Sequence, residues 1–247
     1  MKNFVLVFIT AAVMFVFCGQ AKAVSITEAF SDNTIHWAGY ESYYPQENTK
    51  DVIGEPHITG GTATFSNTGT LEEVTLNYDR ASTSWWNWTY IPGDLFIDAD
   101  ADGDWDFIAD SPGTQGAGEW NVYSAPAVVS YIKTPSFDPP GWNVRNGHPY
   151  AVDNLYDGVL LGQVWFDGWY DPGLGGSEST SWGDFTALGI GLKTNFILAY
   201  TVTCANDVIY EQITRPQGTV PNVPIPGAVW LLGSGLLGLL GLRKLKR

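Results

Sequence analysis

The sequence predicts an all-β protein, a single antiparallel β-sandwich of jelly-roll or Greek-key type flanked by an N-terminal signal helix and a C-terminal transmembrane helix. Apolar stretches of strand length recur along the chain and are separated by residues that favour turns. Glycine and proline are frequent, 28 and 14 among 247 residues, and they are spread along the chain instead of forming one linker. No segment between the two ends sustains the period of about 3.6 residues that an amphipathic helix requires. These observations together indicate one domain of many short strands.

Two hairpins and three further strands are predicted within this domain. Residues 61–65 and 70–78 have the composition of strands and are joined by a run of turn-forming residues. Residues 94–99 and 104–109 flank Asp102-Gly103, a dipeptide that is typical of hairpin turns. The further strands are predicted at residues 159–166, 195–203 and 208–213.

The central part of the chain is strongly acidic. The formal net charge is -14, and of the 12 Lys and Arg residues two lie within the first 22 positions and four within the last five. The region between them therefore sets six basic residues against all 26 acidic residues. Such a charge repels nucleic-acid phosphates and attracts cations. We therefore expect no nucleic-acid partner.

Residues 1–23 have the parts of a secretory signal peptide. Lys2 supplies the positive charge, residues 4–17 form an apolar segment interrupted by Thr10, and Ala21-Lys22-Ala23 is an A-x-A-like cleavage site. A retained anchor helix is the alternative, but the apolar segment is short for a membrane span. We expect export and a mature protein that begins near Val24.

The carboxyl end has a different organisation. A proline-containing linker, 215–222, separates the β domain, 24–214, from a final segment that begins with Val-Pro-Ile-Pro. Residues 225–242 contain no charged side chain and are just long enough to cross a bilayer as a helix of roughly 18–20 residues. The cluster 243–247 contains four Lys and Arg residues, which favours a cytoplasmic position for the end of the chain. A plain tail anchor is one interpretation of this segment.

Residues 223–247 also resemble the sorting tail of the PEP-CTERM family, in the variant that reads Val-Pro-Leu-Pro-Ala before the helix. In that family an exosortase, a membrane enzyme of Gram-negative bacteria, recognises the motif, the helix and the basic end together. Such proteins commonly accompany exopolysaccharide and biofilm production. The resemblance implies membrane anchoring through the C-terminal helix before processing, and then a place at the cell surface or in the extracellular matrix. It also implies that the sorting motif consists of Val223, Pro224, Ile225 and Pro226, although Ile225 and Gly227 depart from the variant's Leu and Ala.

The sharpest binding motif is the acidic run that begins at Asp98. Every second residue of this run is aspartate, and its D-x-D-x-D-G pattern is typical of a calcium loop that bends at a glycine, here Gly103. The twelfth position is Ala109 instead of the Glu that closes an EF-hand, and the neighbouring Asp110 is the candidate substitute. A hairpin turn with solvated carboxylates is the alternative. We expect calcium to bind Asp98, Asp100 and Asp102, with Asp104, Asp106 or Asp110 completing the shell.

Aromatic residues form the second candidate feature. Residues 85–90 contain three tryptophans, and Trp169 stands before an Asp-Pro-Gly turn, where we expect its ring to be exposed. Exposed rings such as Trp88 and Trp169 are candidates for stacking on sugars. Packing in the core is the alternative and explains most of the other tryptophans.

The sequence contains no recognisable catalytic constellation. The three histidines lack metal-ligand spacing, no G-x-S-x-G motif occurs, and Cys204 is the only cysteine of the mature chain. We therefore expect a non-enzymatic exported protein with a structural or adhesive role, stabilised by calcium. The alternative is a secreted carbohydrate-binding or carbohydrate-active protein that uses its Trp-rich loops. The expected partners are an exosortase-type sorting enzyme and the membrane, with exopolysaccharide as a further candidate.

Overall fold

A computed structural model describes residues 24–40, 49–53, 57–79, 91–113, 117–134, 144–168 and 178–216. All of these residues except Val24 belong to one compact unit, Ser25–Pro216. The predicted signal helix, sorting motif and transmembrane helix lie outside the described ranges. Within those ranges, no helix has the length and apolar character needed to cross a membrane.

The described residues are organised as β-strands with two short 3-10 helices, Leu155–Asp157 and Phe185–Leu188. The strands are β1 (Ser25–Ser31), β2 (His57–Ser66), β3 (Leu71–Asp79), β4 (Leu95–Asp98), β5 (Phe107–Asp110), β6 (Gly118–Ser124), β7 (Tyr131–Lys133), β8 (Pro149–Val152), β9 (Leu160–Asp167), β10 (Glu178–Gly183), β11 (Asn195–Thr201) and β12 (Val208–Thr214). The predicted all-β class is confirmed.

Both predicted hairpins are present. The first joins β2 to β3 through a tight turn in which the backbone N–H of Ser66 donates to the carbonyl of Thr70 over 2.8 Å. Gly69 stands in this turn with φ of 90°, a conformation that glycine adopts without steric cost. The second hairpin joins β4 to β5. The apolar runs near residues 160, 195 and 208 form β9, β11 and β12.

Ten of the strands form a single antiparallel sheet in the order β1-β2-β3-β10-β9-β6-β5-β4-β11-β12, and β7 pairs with β8 separately. This arrangement differs from the two large facing sheets of the predicted sandwich. The reason is curvature, because the sheet bends until strands far apart in its order share one core. Phe65 of β2 and Phe196 of β11 lie seven strand positions apart, yet their ring centroids are 6.3 Å apart. The two edges also approach each other, since the hydroxyl of Thr34, just after β1, donates to the carbonyl of Tyr210 in β12 over 2.9 Å.

A second, smaller core lies on the other face of β4, β5, β11 and β12. Strand β4 is buried along its whole length because Leu95 and Ile97 enter the main core while Phe96 enters the smaller one. Trp37, which is 1% exposed, fills the centre of the smaller core and meets Phe96 edge-on with centroids 4.8 Å apart. Tyr131 of β7 and Val152 of β8 belong to the same cluster. The acidic loop after β4 therefore starts from a strand that is fixed on both faces.

Candidate functional site

The acidic run forms an eight-residue loop, 99–106, between β4 and β5. The strands that flank it are shorter than predicted, and the chain does not reverse at Asp102-Gly103 as a two-residue turn. Instead, the loop wraps around the side chain of Asp98, which is 1% exposed at the end of β4. Two residues adopt left-handed backbone conformations to achieve this, Ala101 with φ of 58° and Gly103 with φ of 100°.

The carboxylate of Asp98 accepts hydrogen bonds from four successive backbone N–H groups. Its Oδ1 atom accepts from Asp100 at 3.3 Å, Ala101 at 2.6 Å and Asp102 at 3.3 Å, and its Oδ2 atom accepts from Gly103 at 2.9 Å. Asp106 closes the loop from the other side, because its Oδ2 atom accepts from the N–H of Ala99 at 2.7 Å. Two carboxylates are therefore held in place by the loop backbone itself.

Three of the predicted calcium ligands converge. Asp98, Asp100 and Asp106 offer carboxylate oxygens that all lie within 4.8 Å of one another. Burial raises the pKa of Asp106, and the neighbouring charges of Asp100, Asp98 and Asp102 raise it further. Carboxylate oxygens at this spacing are the ligands that Ca²⁺ prefers. Asp98 Oδ2 and Asp106 Oδ2 each accept one backbone hydrogen bond and keep a lone pair for a cation, whereas Asp98 Oδ1 already accepts three hydrogen bonds.

The other three predicted ligands lie elsewhere. Asp102 and Asp104 are exposed on the loop, where Asp102 Oδ1 accepts from the N–H of Asp104 at 2.9 Å. Asp110 lies in β5 opposite Asn121 of β6. Burial raises the pKa of Asp94 to about 7, and the charge of Asp110 contributes to this rise. Asp110 therefore stands apart from the converging group in this structure.

A second acidic cluster joins three segments that are distant in sequence. Asp32 follows β1, Asp51 lies in the short described segment 49–53, and Asp207 precedes β12. Their carboxylate oxygens also lie within 4.8 Å of one another. Sequence reasoning missed this cluster, since no local spacing relates its members.

The second cluster is buried and short of partners. Asp207 is 1% exposed and accepts from the N–H groups of Ile58 and Val208, whereas Asp32 Oδ2 and Asp51 Oδ1 are buried atoms without a hydrogen-bond partner in the described part of the chain. Burial, followed by the charges of Asp207, Asp51 and Glu211, raises the pKa of Asp32 to about 8, against one lowering hydrogen bond from Thr34. Burial likewise raises the pKa of Asp207 to about 7. Near neutral pH this cluster relieves its own repulsion by retaining protons.

Arg145 holds the segments around this second cluster together. Its side chain is 0% exposed, and its guanidinium donates to the backbone carbonyls of Ala205 at 3.1 Å, Ile35 at 2.6 Å and Asp51 at 2.7 Å. The positive charge also lowers the pKa of Asp207 and of Asp51 against the larger effect of burial. The planar fork of arginine suits this use, because its donors point in several fixed directions.

His148 and Cys204 have structural surroundings. His148 is 1% exposed, its Nε2 atom accepts from the N–H of Trp37 at 3.0 Å, and burial lowers its pKa to about 3. It is therefore neutral, and it holds the backbone and packs against the ring of Trp37 in the smaller core. Burial raises the pKa of the Cys204 thiol to about 12, and the thiol donates to Asn206 Oδ1 at 3.1 Å. A thiol with this pKa is a poor nucleophile.

The predicted sugar-stacking residues Trp88 and Trp169 lie outside the described residues, as does the sorting motif. Three described tryptophans, Trp37, Trp120 and Trp182, are at most 1% exposed. Trp120 and Trp182 pack edge-on with centroids 5.6 Å apart in the main core. For these residues the core-packing alternative is the correct one.

No protein-family model, curated protein or solved structure matches this chain.

Proposed function

We propose that the protein is exported and sorted to the cell surface or extracellular matrix of a Gram-negative bacterium, where it has a structural or adhesive role, and that calcium stabilises its β domain. The leader-like residues 1–23 and the sorting-tail resemblance of residues 223–247 support export and exosortase recognition. The convergence of Asp98, Asp100 and Asp106 carries the calcium half of the proposal.

The geometry of the acidic loop favours a cation for an electrostatic reason. The backbone fixes Asp98 and Asp106, so their charges cannot move apart when Asp100 approaches. A divalent cation relieves the resulting repulsion and uses the free lone pairs, with water completing the six to eight oxygens that calcium requires. Three carboxylates and an open loop suit the weak class of extracellular site, with Kd on the order of 10⁻⁴–10⁻³ M.

Thermal unfolding of the full-length protein tests this site. Calcium at ten times its Kd should stabilise the folded state by about 1.4 kcal/mol. For a domain of this size, that corresponds to a rise in Tm of about 3–5 °C. Magnesium at the same concentration should produce a smaller rise, because its rigid octahedral shell fits an irregular loop poorly.

Two variants of the same loop separate a bound ion from general charge screening. Asp100→Asn removes one converging carboxylate and should abolish the calcium-induced rise in Tm. Asp104→Asn removes the same charge from an exposed side chain outside the converging group and should leave the rise intact. If calcium shifts Tm equally in both variants, or leaves the wild-type curve unmoved, the site assignment fails.

Sorting is tested on the protein recovered from the cell surface. Mass spectrometry should find a mature start near Val24 and a chain that ends before Arg247. A chain that always ends at Arg247 would instead indicate the plain tail anchor. The alternative function, carbohydrate binding or cleavage through Trp88 and Trp169, concerns residues outside the described part of the chain.

A further inference from the structure

The outer face of β9 presents an exposed tryptophan. Trp165 is 48% exposed, whereas Trp105, the other described tryptophan outside the two cores' centres, is partly buried and donates its indole N–H to Tyr131 at 2.8 Å. Trp165 is thus the one tryptophan with a largely exposed side chain in the described ranges. A large aromatic ring on a sheet surface is normally covered by its cross-strand neighbours, so what stands beside this ring decides what it can do.

Trp165 has a side chain directly opposite it on β6 and none directly opposite it on β10. On β10 the residue directly opposite is Gly183, and a Cβ atom built at Gly183 meets no atom of the described residues within 4 Å. On β6 the residue directly opposite is Glu119, whose side chain is exposed. Trp165 therefore has an acidic side chain opposite it on one strand and no side chain opposite it on the other.

Polar side chains continue the same face along the strands. Asn121 of β6 lies opposite Gln163 of β9, and Gln163 Nε2 donates to Asn121 Oδ1 at 3.2 Å. This bond holds the two amides side by side and leaves both with unused donors and acceptors. Beyond Trp165, Asp167 lies opposite Ser181. An aromatic ring is thus bordered by groups that both give and accept hydrogen bonds.

This combination suits a sugar ring. The face of an aromatic ring is electron-rich and attracts the polarised C–H groups on the apolar face of a pyranose. Hydroxyl groups at the edge of the same sugar need both acceptors, such as the Glu119 carboxylate, and donors, such as the paired amides.

The charge of the surface selects among polysaccharides. Strands β3, β6, β9 and β10 contain no Lys or Arg, while Glu73, Glu119 and Asp167 are exposed on them. A polyanionic chain would be repelled, and a neutral one would not. We infer that Trp165, with Glu119, Asn121 and Gln163, binds a neutral polysaccharide. This inference rests on the adhesive role proposed above and gives that role its ligand class.

Affinity electrophoresis of the full-length protein in native gels tests it. Hydroxyethylcellulose and galactomannan are the neutral probes, alginate is the anionic comparison, and the detergent must lack a sugar headgroup because such a headgroup would compete for the ring. We expect retardation in at least one neutral gel and none in alginate. Trp165→Ala should weaken retention about tenfold or more, a loss of about 1.4 kcal/mol. Trp165→Phe, which keeps a ring, should retain part of the binding.

Two further variants separate a binding surface from a folding effect. Tyr156→Ala removes another aromatic residue, 83% exposed in the first 3-10 helix, and should leave retention unchanged. Gly183→Val adds a side chain opposite Trp165, at a position where a Cβ atom meets no described atom within 4 Å, and should weaken retention several-fold at an unchanged Tm.

Three results would overturn the inference. These are wild-type protein unretarded in every neutral gel, equal retention losses for Trp165→Ala and Tyr156→Ala, or self-association that depends on Trp165, which would assign the surface to a second copy of the chain. The calcium-induced rise in Tm is measured on the same Trp165→Ala protein. A preserved rise with lost retention keeps the two proposals distinguishable.

Discussion

The two acidic clusters of this protein use opposite means to tolerate three aspartates at close range. Around Asp98, successive backbone N–H groups turn towards the charge, and the loop remains open to water. Around Asp207, two carboxylate oxygens are buried without a partner among the described residues, and burial raises the pKa of Asp32 to about 8. The first arrangement satisfies the carboxylate oxygens with backbone donors. The second removes charge by protonation.

The difference shows that proximity of carboxylates alone does not define a metal site. Both groups satisfy the same distance of 4.8 Å between oxygens. Hydrogen bonding separates them, since backbone N–H groups satisfy the carboxylate of Asp98, whereas burial raises the pKa of Asp32 to about 8. Replacements at three residues test this contrast, and they are ordered by the size of the expected effect.

Replacing Arg145 should produce the largest change. Arg145→Met leaves several buried carbonyls without their donor and removes the positive charge beside Asp51 and Asp207. We expect a loss of about 3–5 kcal/mol in the free energy of unfolding, measured in urea. Lys193→Met, an exposed cation, should change it by less than about 0.5 kcal/mol.

If Arg145→Met does not fold, Arg145→Lys provides the measurement, because lysine keeps the charge and loses the planar fork. The Arg145→Lys protein should fold, and its free energy of unfolding should be lower than that of the wild type and of Lys193→Met. An Arg145→Lys protein as stable as the wild type would show that the carbonyl contacts contribute little.

Replacing Asp98 should have the next largest effect. Asp98→Ala deprives four N–H groups of their acceptor, although water reaches the loop and replaces part of the loss. We expect a destabilisation of about 2 kcal/mol without calcium and no calcium-induced rise in Tm. Asp102→Ala, in the same loop, removes one exposed acceptor and should cost less than about 0.5 kcal/mol. A smaller loss at Asp98 than at Asp102 would contradict the organising role of Asp98.

The smallest expected effect concerns pH. Because the folded state raises the pKa of Asp32 from 3.8 to about 8, its contribution to stability is complete below pH 4 and is lost as the pH rises through 8. Asp32→Asn cannot ionise and keeps the acceptor for the N–H of Thr34. The variant should therefore be more stable than the wild type at pH 8.5 by about 1 kcal/mol, since partial exposure screens the charge.

Urea unfolding at pH 5 and pH 8.5, in the presence of a calcium chelator, measures this difference. The wild type should lose more stability than Asp32→Asn between the two values. Asp157→Asn, an exposed carboxylate, should follow the wild type. Parallel profiles for the wild type and Asp32→Asn would show that Asp32 is ionised in the folded protein.

The features that could be predicted from the sequence are those that residues close together along the chain determine. The β2–β3 hairpin and the Asp98 loop arise from turn formers and alternating aspartates within a few positions of each other. Strand β10 was not predicted because it is short and buries only Thr180 and Trp182 among its described side chains, so its apolar signal is weak.

Long-range features were beyond the reach of local patterns. The cluster of Asp32, Asp51 and Asp207 forms because the turn before β12 meets segments that are distant in sequence. The spacing of the three residues along the chain does not predict this contact. Curvature was missed for the same reason. Alternating apolar residues show that a strand has a buried face, but they do not show whether a second sheet or the same bent sheet covers it.

The strand order has a consequence for how quickly the chain can fold. Strand β3 pairs with β10 through Tyr78 and Glu178, and β4 pairs with β11 through Phe96 and Ala199, so both ladders close loops of about 100 residues. Such distant pairing places folding in the millisecond-to-second range, and during this interval β3 and β4 present unpaired edges that invite association with other chains. The loop around Asp98 belongs to a single hairpin and can form before either ladder does. A cation captured there would hold β4 against β5 while the rest of the sheet is still unmade.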